Sequence, residues 1–212
     1  MTEPSVLTEP SVLTEPSGPS VFRVLQVCTG NICRSPMAEH LMRAGLQQRL
    51  GTQQASRFVI ESAGTWGRTG ELMEADAHNT LLSYAVDGTD FRARALLAEH
   101  ISGADLILVA TREHRAAAVT LHPRAASRTF TLREFARLLS VVPAAELPQG
   151  DIVERASVLV RAAAARRGTV PPEHPQDDDL DDPYRAPAPA FVACAAIIEL
   201  SLRGPLDLLA AR

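Results

Sequence analysis

The chain alternates short apolar runs with segments of helical periodicity, and this alternation restricts its possible folds more than any other feature. Three runs rich in Val, Ile, Leu and Phe, at residues 21–27, 57–61 and 105–110, have the composition of buried parallel strands. The segment SRTFT at 127–131 is the expected fourth strand. Helices are predicted from residue 36 onward and at 74–84, 95–101, 112–121, 133–140, 151–167 and 190–202. Strands that alternate with helices join through right-handed crossovers into a parallel sheet. The sequence therefore predicts an α/β fold, a doubly wound sheet of about four parallel strands with helices on both faces.

Composition indicates a soluble globular protein. Of the 212 residues, 46% are apolar and the formal net charge is −4, so the chain can bury a sizeable core and shows no basic patch for nucleic acid. It has no apolar run of membrane-spanning length and no secretory signal. Three cysteines are too few for a disulfide framework. We therefore predict a cytoplasmic location, without membrane insertion or nucleic-acid binding.

Residues 2–17 repeat the unit TEPSVL, with a proline in every copy. Proline removes a backbone donor and restricts the residue before it, and the unit has little apolar surface to offset the entropy of ordering. The repeat predicts a disordered tail over residues 1–20. Residues 21–212 are predicted to form one domain.

The loop after the first strand, VCTGNICRSP, lies at the edge of the sheet where α/β folds bind ligands. Ser35 is a candidate cap for the following helix, and Pro36 suits its first position. The first N–H groups of a helix have no partners within it and attract anions. Gly30 and Asn31 tolerate the positive φ that a loop curling around a phosphate requires, and Arg34 can hold two oxygens at once. The loop therefore predicts an anion site.

Cys28 lies at the start of this loop. A thiol near a helix N-terminus and beside an arginine is favoured as the thiolate. A lone cysteine is more often a small buried hydrophobic residue, but here Cys, Gly, Asn, Arg, Ser and Pro occur together between a buried strand and a helix. A nucleophile within an anion site indicates covalent catalysis on a phosphate-like ester.

The stretch CTGNICRSP resembles the Cys-x5-Arg-Ser phosphate loop of the low-molecular-weight protein tyrosine phosphatases. Two further blocks, SAGTW at 62–66 and DDPY at 181–184, follow in the order of that family. The resemblance extends from residue 21 to the C-terminus, so 21–212 is the expected catalytic domain. It implies hydrolysis of phosphotyrosine monoesters in proteins through a phosphocysteine intermediate, without a metal or another cofactor.

The resemblance also implies roles for the loop residues. Cys28 takes the phosphoryl group, Arg34 binds it together with the loop amides, and Ser35 donates to the sulfur. Asn31 braces the loop beside Ser62. The residues expected to bind phosphate or support the loop are Thr29, Gly30, Asn31, Ile32, Cys33, Ser35 and Ser62.

By the same resemblance, Asp182 is the expected general acid. It protonates the leaving phenolate and then activates water, since microscopic reversibility assigns both steps to one group. Asp182 ends the acidic run DDDLDD, and such runs are usually solvated loops. Only its place before Pro183 and Tyr184 selects it over Asp181.

Ile32, Trp66 and Tyr184 are the expected walls of the substrate pocket. A deep cleft lined by aromatic residues suits a phenyl ester better than a short seryl ester. Ordinary partial burial explains Trp66 equally well. The substrates implied by the family are phosphotyrosine-containing proteins, such as a bacterial tyrosine kinase.

Cys33 lies five positions after Cys28. It either packs beneath the loop or forms a reversible disulfide with Cys28 that protects the nucleophile from overoxidation. We favour the disulfide, because reactive thiolates are oxidised first. Cys194, in the last predicted helix, is expected to be inert.

Two departures from the family are visible. Phe91 stands where many members have a histidine, so the polar network around the loop is expected to be built differently. Residues 142–175 are longer than a minimal member needs and contain an extra helix.

Two other functions fit parts of the sequence. Thioredoxin-coupled arsenate reductases have a very similar loop but need a further cysteine pair to relay a disulfide, and this chain has only Cys194 after Cys33. A phosphate-binding module without turnover would need neither a nucleophile nor an acid. The six histidines show no metal-ligand spacing, and displacement by a thiolate needs no metal. We therefore favour the phosphatase.

Overall fold

A computed structural model describes residues 20–211, which form one parallel sheet with helices on both faces. The strands are β1 (Phe22–Cys28), β2 (Phe58–Gly64), β3 (Leu106–Val109) and β4 (Thr129–Thr131). The helices are α1 (Arg34–Ala55), α2 (Ala75–Ser83), α3 (Ala98–Ser102), α4 (Arg112–Leu121), α5 (Leu132–Leu139), α6 (Ile152–Ala165) and α7 (Ala188–Ala210). Apart from Ser20, the predicted TEPSVL tail lies outside the described residues.

The strand order is β2-β1-β3-β4, and all neighbouring strands are parallel. The register pairs Cys28 with Gly64, so the first two strands end at the same edge of the sheet. The prediction of a four-stranded, doubly wound parallel sheet is therefore confirmed. The loop after β1 lies at the carboxyl edge, as the sequence predicts.

Two hydrophobic cores lie on the two faces of the sheet, and β1 contributes alternate side chains to them. Val24 enters the larger core, which α1, α5, α6 and α7 cover. Leu25 and Val27 enter the smaller core, with Ile101 of α3 and Ala118 of α4. Burial on both faces explains why the apolar residues of this strand are not confined to alternate positions.

Helix α7 is longer than predicted. The sequence predicts this helix over residues 190–202, but it continues to Ala210 with Pro205 inside it, although proline disfavours a helix interior. Pro205 and Leu206 are buried, and a Cβ on Gly45 of α1 would lie 2.6 Å from Leu206 Cδ1. Close packing of α7 against α1 therefore outweighs the local tendency of proline to end the helix.

The start of α1 also differs from the prediction. The helix begins at Arg34, with Cys33 in the N-cap position and no side-chain cap. Ser35 is not the cap, and Pro36 does not take the first position. The Ser35 hydroxyl instead contacts Cys28 Sγ and Asn31. The N-terminus of α1 therefore keeps N–H groups without a side-chain acceptor.

The extra segment at 142–175 contains α6, which packs against α5, α7 and a 3-10 turn at Pro123–Arg128. The segment is followed in the chain by the acidic run at 177–182. Within residues 20–211, no helix is both long and apolar enough to cross a membrane.

Candidate active site

Cys28 ends β1 beneath a pocket of about 230 Å³. Only 2% of the residue is exposed. Arg34 and Asp182 line the same pocket. The structure therefore brings the predicted nucleophile, phosphate-binding arginine and general acid to one place, although the acid comes from the far end of the chain.

The backbone of the loop directs its carbonyl groups away from the pocket. The carbonyls of Thr29, Gly30 and Ile32 accept hydrogen bonds from N–H groups in the segment 66–74. Within the described part of the chain, the N–H groups of residues 30–33 donate to no backbone acceptor. Since Gly30 and Ile32 line the pocket, these N–H groups are available to an anion inside it.

Asn31 adopts the left-handed conformation, with φ of 57°. Asparagine visits this region because its short polar side chain can bond locally. Gly30 does not have a positive φ, so that expectation is right for Asn31 and wrong for Gly30. Gly64 is required instead: a Cβ there would collide with Thr29 O and lie 2.9 Å from Asn31 N. The glycine of SAGTW lets β2 approach the loop.

A chain of buried hydrogen bonds runs from Cys28 to Glu39. Asn31 Nδ2 donates to Ser35 Oγ at 2.9 Å and to Ser62 Oγ at 2.8 Å. Because both oxygens accept from Asn31, their own hydrogens are free to point onward. Ser35 Oγ lies 2.9 Å from Cys28 Sγ, and Ser62 donates to Glu39 Oε2 at 2.5 Å. The network therefore orients the Ser35 hydroxyl as a donor to the sulfur.

The Glu39–Arg43 ion pair and the backbone N–H of Arg94 extend this network. Glu39, whose pKa burial raises, forms an ion pair with Arg43 at 2.7 Å. Asn31 Oδ1 accepts from the backbone N of Arg94 at 2.9 Å. Phe91, three residues before Arg94, is buried and has no polar side-chain atom. A backbone amide and the Glu39–Arg43 pair thus complete the network around Asn31.

Arg34 is 4% exposed and held from several sides. Its Nη1 donates to Leu180 O at 3.0 Å, and its Nη2 donates to Asp182 Oδ2 at 2.6 Å and to Thr29 Oγ1 at 3.2 Å. Its Nε is buried and has no hydrogen-bond partner among residues 20–211. Nε and Nη2 form the edge of a guanidinium that can bind two oxygens of one phosphate. A phosphate there would compete with Asp182 for Nη2.

Arginines hold the first part of the acidic run at 177–182, whereas Asp181 and Asp182 at its end are exposed. Asp178 accepts two hydrogen bonds from Arg137 Nη2, and Asp179 accepts from Nε and Nη2 of Arg112. Arginine and carboxylate in such geometry form well-oriented pairs. These contacts hold the chain that leads to Asp182 against α4 and α5.

Asp181 and Asp182 differ in their surroundings. Asp182 lines the pocket and forms the ion pair with Arg34. Asp181 is exposed, and within the described residues its side chain forms no hydrogen bond or ion pair. The geometry favours Asp182 as the group that can reach a bound ester.

Ile32, Trp66 and Tyr184 all border the pocket. Ile32 is buried and forms an inner wall, whereas Trp66 is 83% exposed and lies at the rim. Arg68, which sequence reasoning missed, donates from Nη2 to Tyr184 Oη at 2.9 Å, and its guanidinium carbon lies 5.1 Å from the ring centroid. Arg68 therefore holds Tyr184 at the pocket mouth.

Cys28, Cys33 and Cys194 are free and buried. Burial raises the pKa of Cys194 to about 12, and burial together with Cys28 raises the pKa of Cys33. Protonated thiols are weak nucleophiles, so Cys194 is poorly suited to a disulfide relay. The Cys28–Cys33 disulfide stays a prediction. Within residues 20–211, no three His, Cys, Asp or Glu side chains are grouped to hold a metal ion.

His114, in the first turn of α4, contacts the loop after β1 through the side chain of Thr29. Its Nε2 lies 2.9 Å from Thr29 Oγ1, and its Nδ1 lies 2.7 Å from the side-chain oxygen of Thr111, the N-cap of α4. Burial, followed by the charge of Arg34, lowers the pKa of His114 to about 4. The imidazole is therefore neutral at physiological pH.

This pKa shift predicts a pH dependence of stability. Between pH 6.5 and 4 the unfolded chain binds a proton at His114 that the folded protein does not, so stability should fall as the pH falls through this range. We expect the free energy of unfolding to decrease by about 2 to 3 kcal/mol more in the wild type than in His114→Phe. Urea unfolding at a series of pH values measures both slopes. Parallel slopes would show that His114 titrates normally.

Sequence reasoning missed several residues of the site, namely Glu39, Arg68, Arg94, Arg112, His114 and Arg137. A signal existed for Glu39, because it lies four residues after Ser35 and therefore on the same face of α1. His114 follows the N-cap Thr111 by three residues, which places it at the carboxyl edge of β3. The arginines that hold the acidic run come from distant helices, and the sequence carries no local signal for those pairs.

Comparison with known proteins shows what the chain is similar to. The sequence model of a family described as low molecular weight phosphotyrosine protein phosphatase matches residues 23–141. A low molecular weight protein-tyrosine-phosphatase of Streptomyces coelicolor is 32% identical over 188 residues, which cover 87% of this chain and 92% of that protein. A protein-arginine-phosphatase of Geobacillus stearothermophilus is 33% identical over 114 residues, or 54% of this chain and 71% of that protein.

Solved structures agree in fold. The crystal structure of a low molecular weight protein tyrosine phosphatase from T. tengcongensis superposes with a TM-score of 0.63 at 27% sequence identity. The superposition covers 88% of this chain and 98% of that chain. The match to the family's sequence model ends just before the extra segment at 142–175.

Proposed function

Because the chain belongs to the low molecular weight phosphotyrosine protein phosphatase family, we propose that it hydrolyses phosphotyrosine monoesters in proteins. The observation that carries the proposal is the depth of Cys28, which is 2% exposed at the base of the pocket. A phosphorus atom reaches this sulfur only at the end of a long side chain. Phosphotyrosine has that length, whereas phosphoserine does not.

The loop binds the phosphate before any bond changes. The N–H groups of residues 30–33 and the α1 N-terminus surround its oxygens, and Arg34 binds two of them through Nε and Nη2. Binding displaces Asp182 from Nη2 and brings its carboxyl next to the phosphate dianion. The first step requires this carboxyl to carry a proton that it can give to the leaving oxygen.

In the first step Cys28 Sγ attacks phosphorus. The S–P bond forms as the bond between phosphorus and the tyrosine oxygen breaks, and Asp182 gives its proton to the leaving oxygen. In the second step water attacks the phosphocysteine while Asp182 takes a proton from that water. The S–P bond breaks, phosphate leaves, and the Ser35 hydroxyl stabilises the departing thiolate.

The pocket walls favour a phenyl ester. Ile32 and Tyr184 offer apolar contact to an aromatic ring, with Trp66 at the rim. Similarity to a protein-arginine-phosphatase makes phosphoarginine a second candidate substrate. Its guanidinium would lie near Arg68 and Arg34 in a confined pocket, and like charges repel there. We therefore place phosphotyrosine first.

One comparison of substrates tests this choice. Peptides of one sequence carrying phosphotyrosine, phosphoserine or phosphoarginine are offered to the enzyme, and phosphate release is measured. We expect kcat/KM for phosphotyrosine to exceed both others by at least about 100-fold, since each misfit contact costs a few kcal/mol. Faster hydrolysis of the phosphoarginine peptide would contradict the proposal. A chelator in the assay should leave the rate unchanged.

Asp182→Asn should slow hydrolysis in proportion to how poor the leaving group is. For a phenyl phosphate with an alkyl substituent we expect a loss in kcat of about 10²- to 10³-fold, because loss of a general acid typically costs that much. For a nitrophenyl or dinitrophenyl ester, whose phenolate leaves unaided, the loss should be much smaller. Steady-state rates across a series of aryl phosphates measure the dependence.

Asp181→Asn is the matched control, since Asp181 is the adjacent carboxylate and lies outside the pocket lining. It should retain the wild-type dependence on the leaving group. If Asp181→Asn acquires the steep dependence and Asp182→Asn does not, the acid has been assigned to the wrong residue.

We further propose that residues 21–212 act as one catalytic domain in the cytoplasm and act on tyrosine-phosphorylated proteins. A bacterial tyrosine kinase is the candidate substrate that the family suggests. Cys28→Ser should retain phosphate binding without turnover. It should therefore capture phosphorylated, but not dephosphorylated, kinase on an affinity resin.

A further inference from the structure

Thr29 Oγ1 receives contacts from two sides that the reaction described above does not use. Arg34 Nη2 donates to it at 3.2 Å, and His114 Nε2 lies 2.9 Å away on the other side. Thr29 also lines the pocket. The hydroxyl thus connects the phosphate-binding guanidinium to α4.

The His114 ring is anchored at both nitrogens. Its Nδ1 lies 2.7 Å from Thr111 Oγ1, and that oxygen also accepts from the His114 backbone N. In either neutral tautomer one ring nitrogen bonds Thr29 and the other bonds Thr111. The residue is 7% exposed, and Ala118, one turn later in α4, is fully buried. Rotation of the ring would break both hydrogen bonds inside the protein.

The Thr29 contact becomes more important when phosphate binds. Arg34 is held at Leu180 O, Thr29 Oγ1 and Asp182 Oδ2. Asp182 must leave Nη2 to serve as an acid. Leu180 O and Thr29 Oγ1 are then the contacts that keep the guanidinium plane in place. A threonine hydroxyl without a fixed partner could rotate away.

We propose that His114 is a positioning residue for phosphate binding. It holds the Thr29 hydroxyl, and through it orients the Arg34 guanidinium toward the bound phosphate. The proposal deepens the proposed function and rests on it for the identity of the ligand. His114 touches neither the sulfur nor Asp182 within hydrogen-bond distance, so it acts only through Thr29.

Binding of inorganic phosphate, measured by titration calorimetry, tests the proposal without turnover. Thr29→Val removes the hydroxyl at nearly constant shape, and His114→Phe removes the ring nitrogens. Each should weaken phosphate binding by about three- to ten-fold, the usual effect of one hydrogen bond. Thr29→Ser, which keeps the hydroxyl, should bind within about two-fold of the wild type.

The double variant distinguishes an action of His114 through Thr29 from two independent effects of these residues on phosphate binding. If His114 acts through Thr29, Thr29→Val/His114→Phe should bind phosphate no more weakly than the weaker single variant. If the losses of phosphate affinity in the two single variants multiply in the double variant, the proposal is overturned. Wild-type affinity in His114→Phe would also overturn it. So would an equal loss of affinity in Thr29→Ser and Thr29→Val. Should His114→Phe not fold, the Thr29→Ser and Thr29→Val pair still decides whether the hydroxyl matters.

Kinetics supply a readout that a general loss of stability would not move. Both variants keep the Arg34 guanidinium and loosen only its hold on the bound phosphate, so KM for p-nitrophenyl phosphate should rise with the phosphate dissociation constant, and kcat should fall far less than in Arg34→Lys. A fall in kcat with unchanged KM would contradict the proposal. A wild type that binds phosphate but releases no nitrophenol would contradict the proposed function and leave the binding comparison intact.

Discussion

Cys28→Ser should lose at least about 10⁴-fold in hydrolysis of p-nitrophenyl phosphate, because loss of a nucleophile typically removes this much of the rate. A serine hydroxyl in the same place lacks the charge and polarisability of a thiolate. The buried contacts of the residue, including Ser35 Oγ at 2.9 Å, should accommodate serine without loss of the fold. Steady-state assays with thermal unfolding of the same samples measure both properties.

Cys194→Ala is the control for this prediction. Cys194 is equally buried, but it lies in α7 and does not line the pocket. Its replacement should leave the rate within a few-fold of the wild type. Retention of activity in Cys28→Ser would show that the chemistry does not pass through this sulfur.

Arg34→Lys should lose about 10³-fold or more in turnover although the positive charge is kept. An arginine placed on a transferring phosphoryl group contributes a factor of this order. Lysine is a point charge and cannot bind Leu180 O, Thr29 Oγ1 and two phosphate oxygens together. Both kcat and the affinity for phosphate should therefore fall.

Arg49→Lys is a matched surface substitution. Arg49 also forms a 2.6 Å ion pair, with Asp207, but that pair lies away from the Cys28 pocket. The Arg49→Lys variant should have the activity of the wild type. A rate for Arg34→Lys within ten-fold of the wild type would mean that charge alone, rather than the planar fork, supports the reaction.

The fold could be predicted well from the sequence because its strands and helices have strong local signals. The run LILV of β3 is apolar on both faces, as a central parallel strand must be. The C-terminal end of α7 could not be predicted, because Pro205 argues locally against a helix. Its burial against α1 depends on contacts across the whole chain.

In the candidate site, too, the part that is contiguous in sequence could be predicted, and the contacts from distant elements could not. The loop from Cys28 to Ser35 is continuous in sequence, so its residue types and spacing carry the chemistry directly. The surroundings of Asp182 depend on Arg112 and Arg137, which pair with the preceding aspartates from distant helices. An acidic run alone cannot indicate such partners. The neutral state of His114 likewise follows from burial and from Arg34, which only the folded chain brings together.

The central claim is that a phosphoryl group passes through the sulfur of Cys28. The most direct measurement mixes enzyme with a phosphotyrosine peptide, quenches in acid within one turnover, and locates bound phosphate by mass spectrometry of the digested chain. The account predicts a phosphoryl adduct on Cys28 that disappears as phosphate is released. Full release of phosphate with no adduct on Cys28 at any time, or an adduct on another residue, would contradict it.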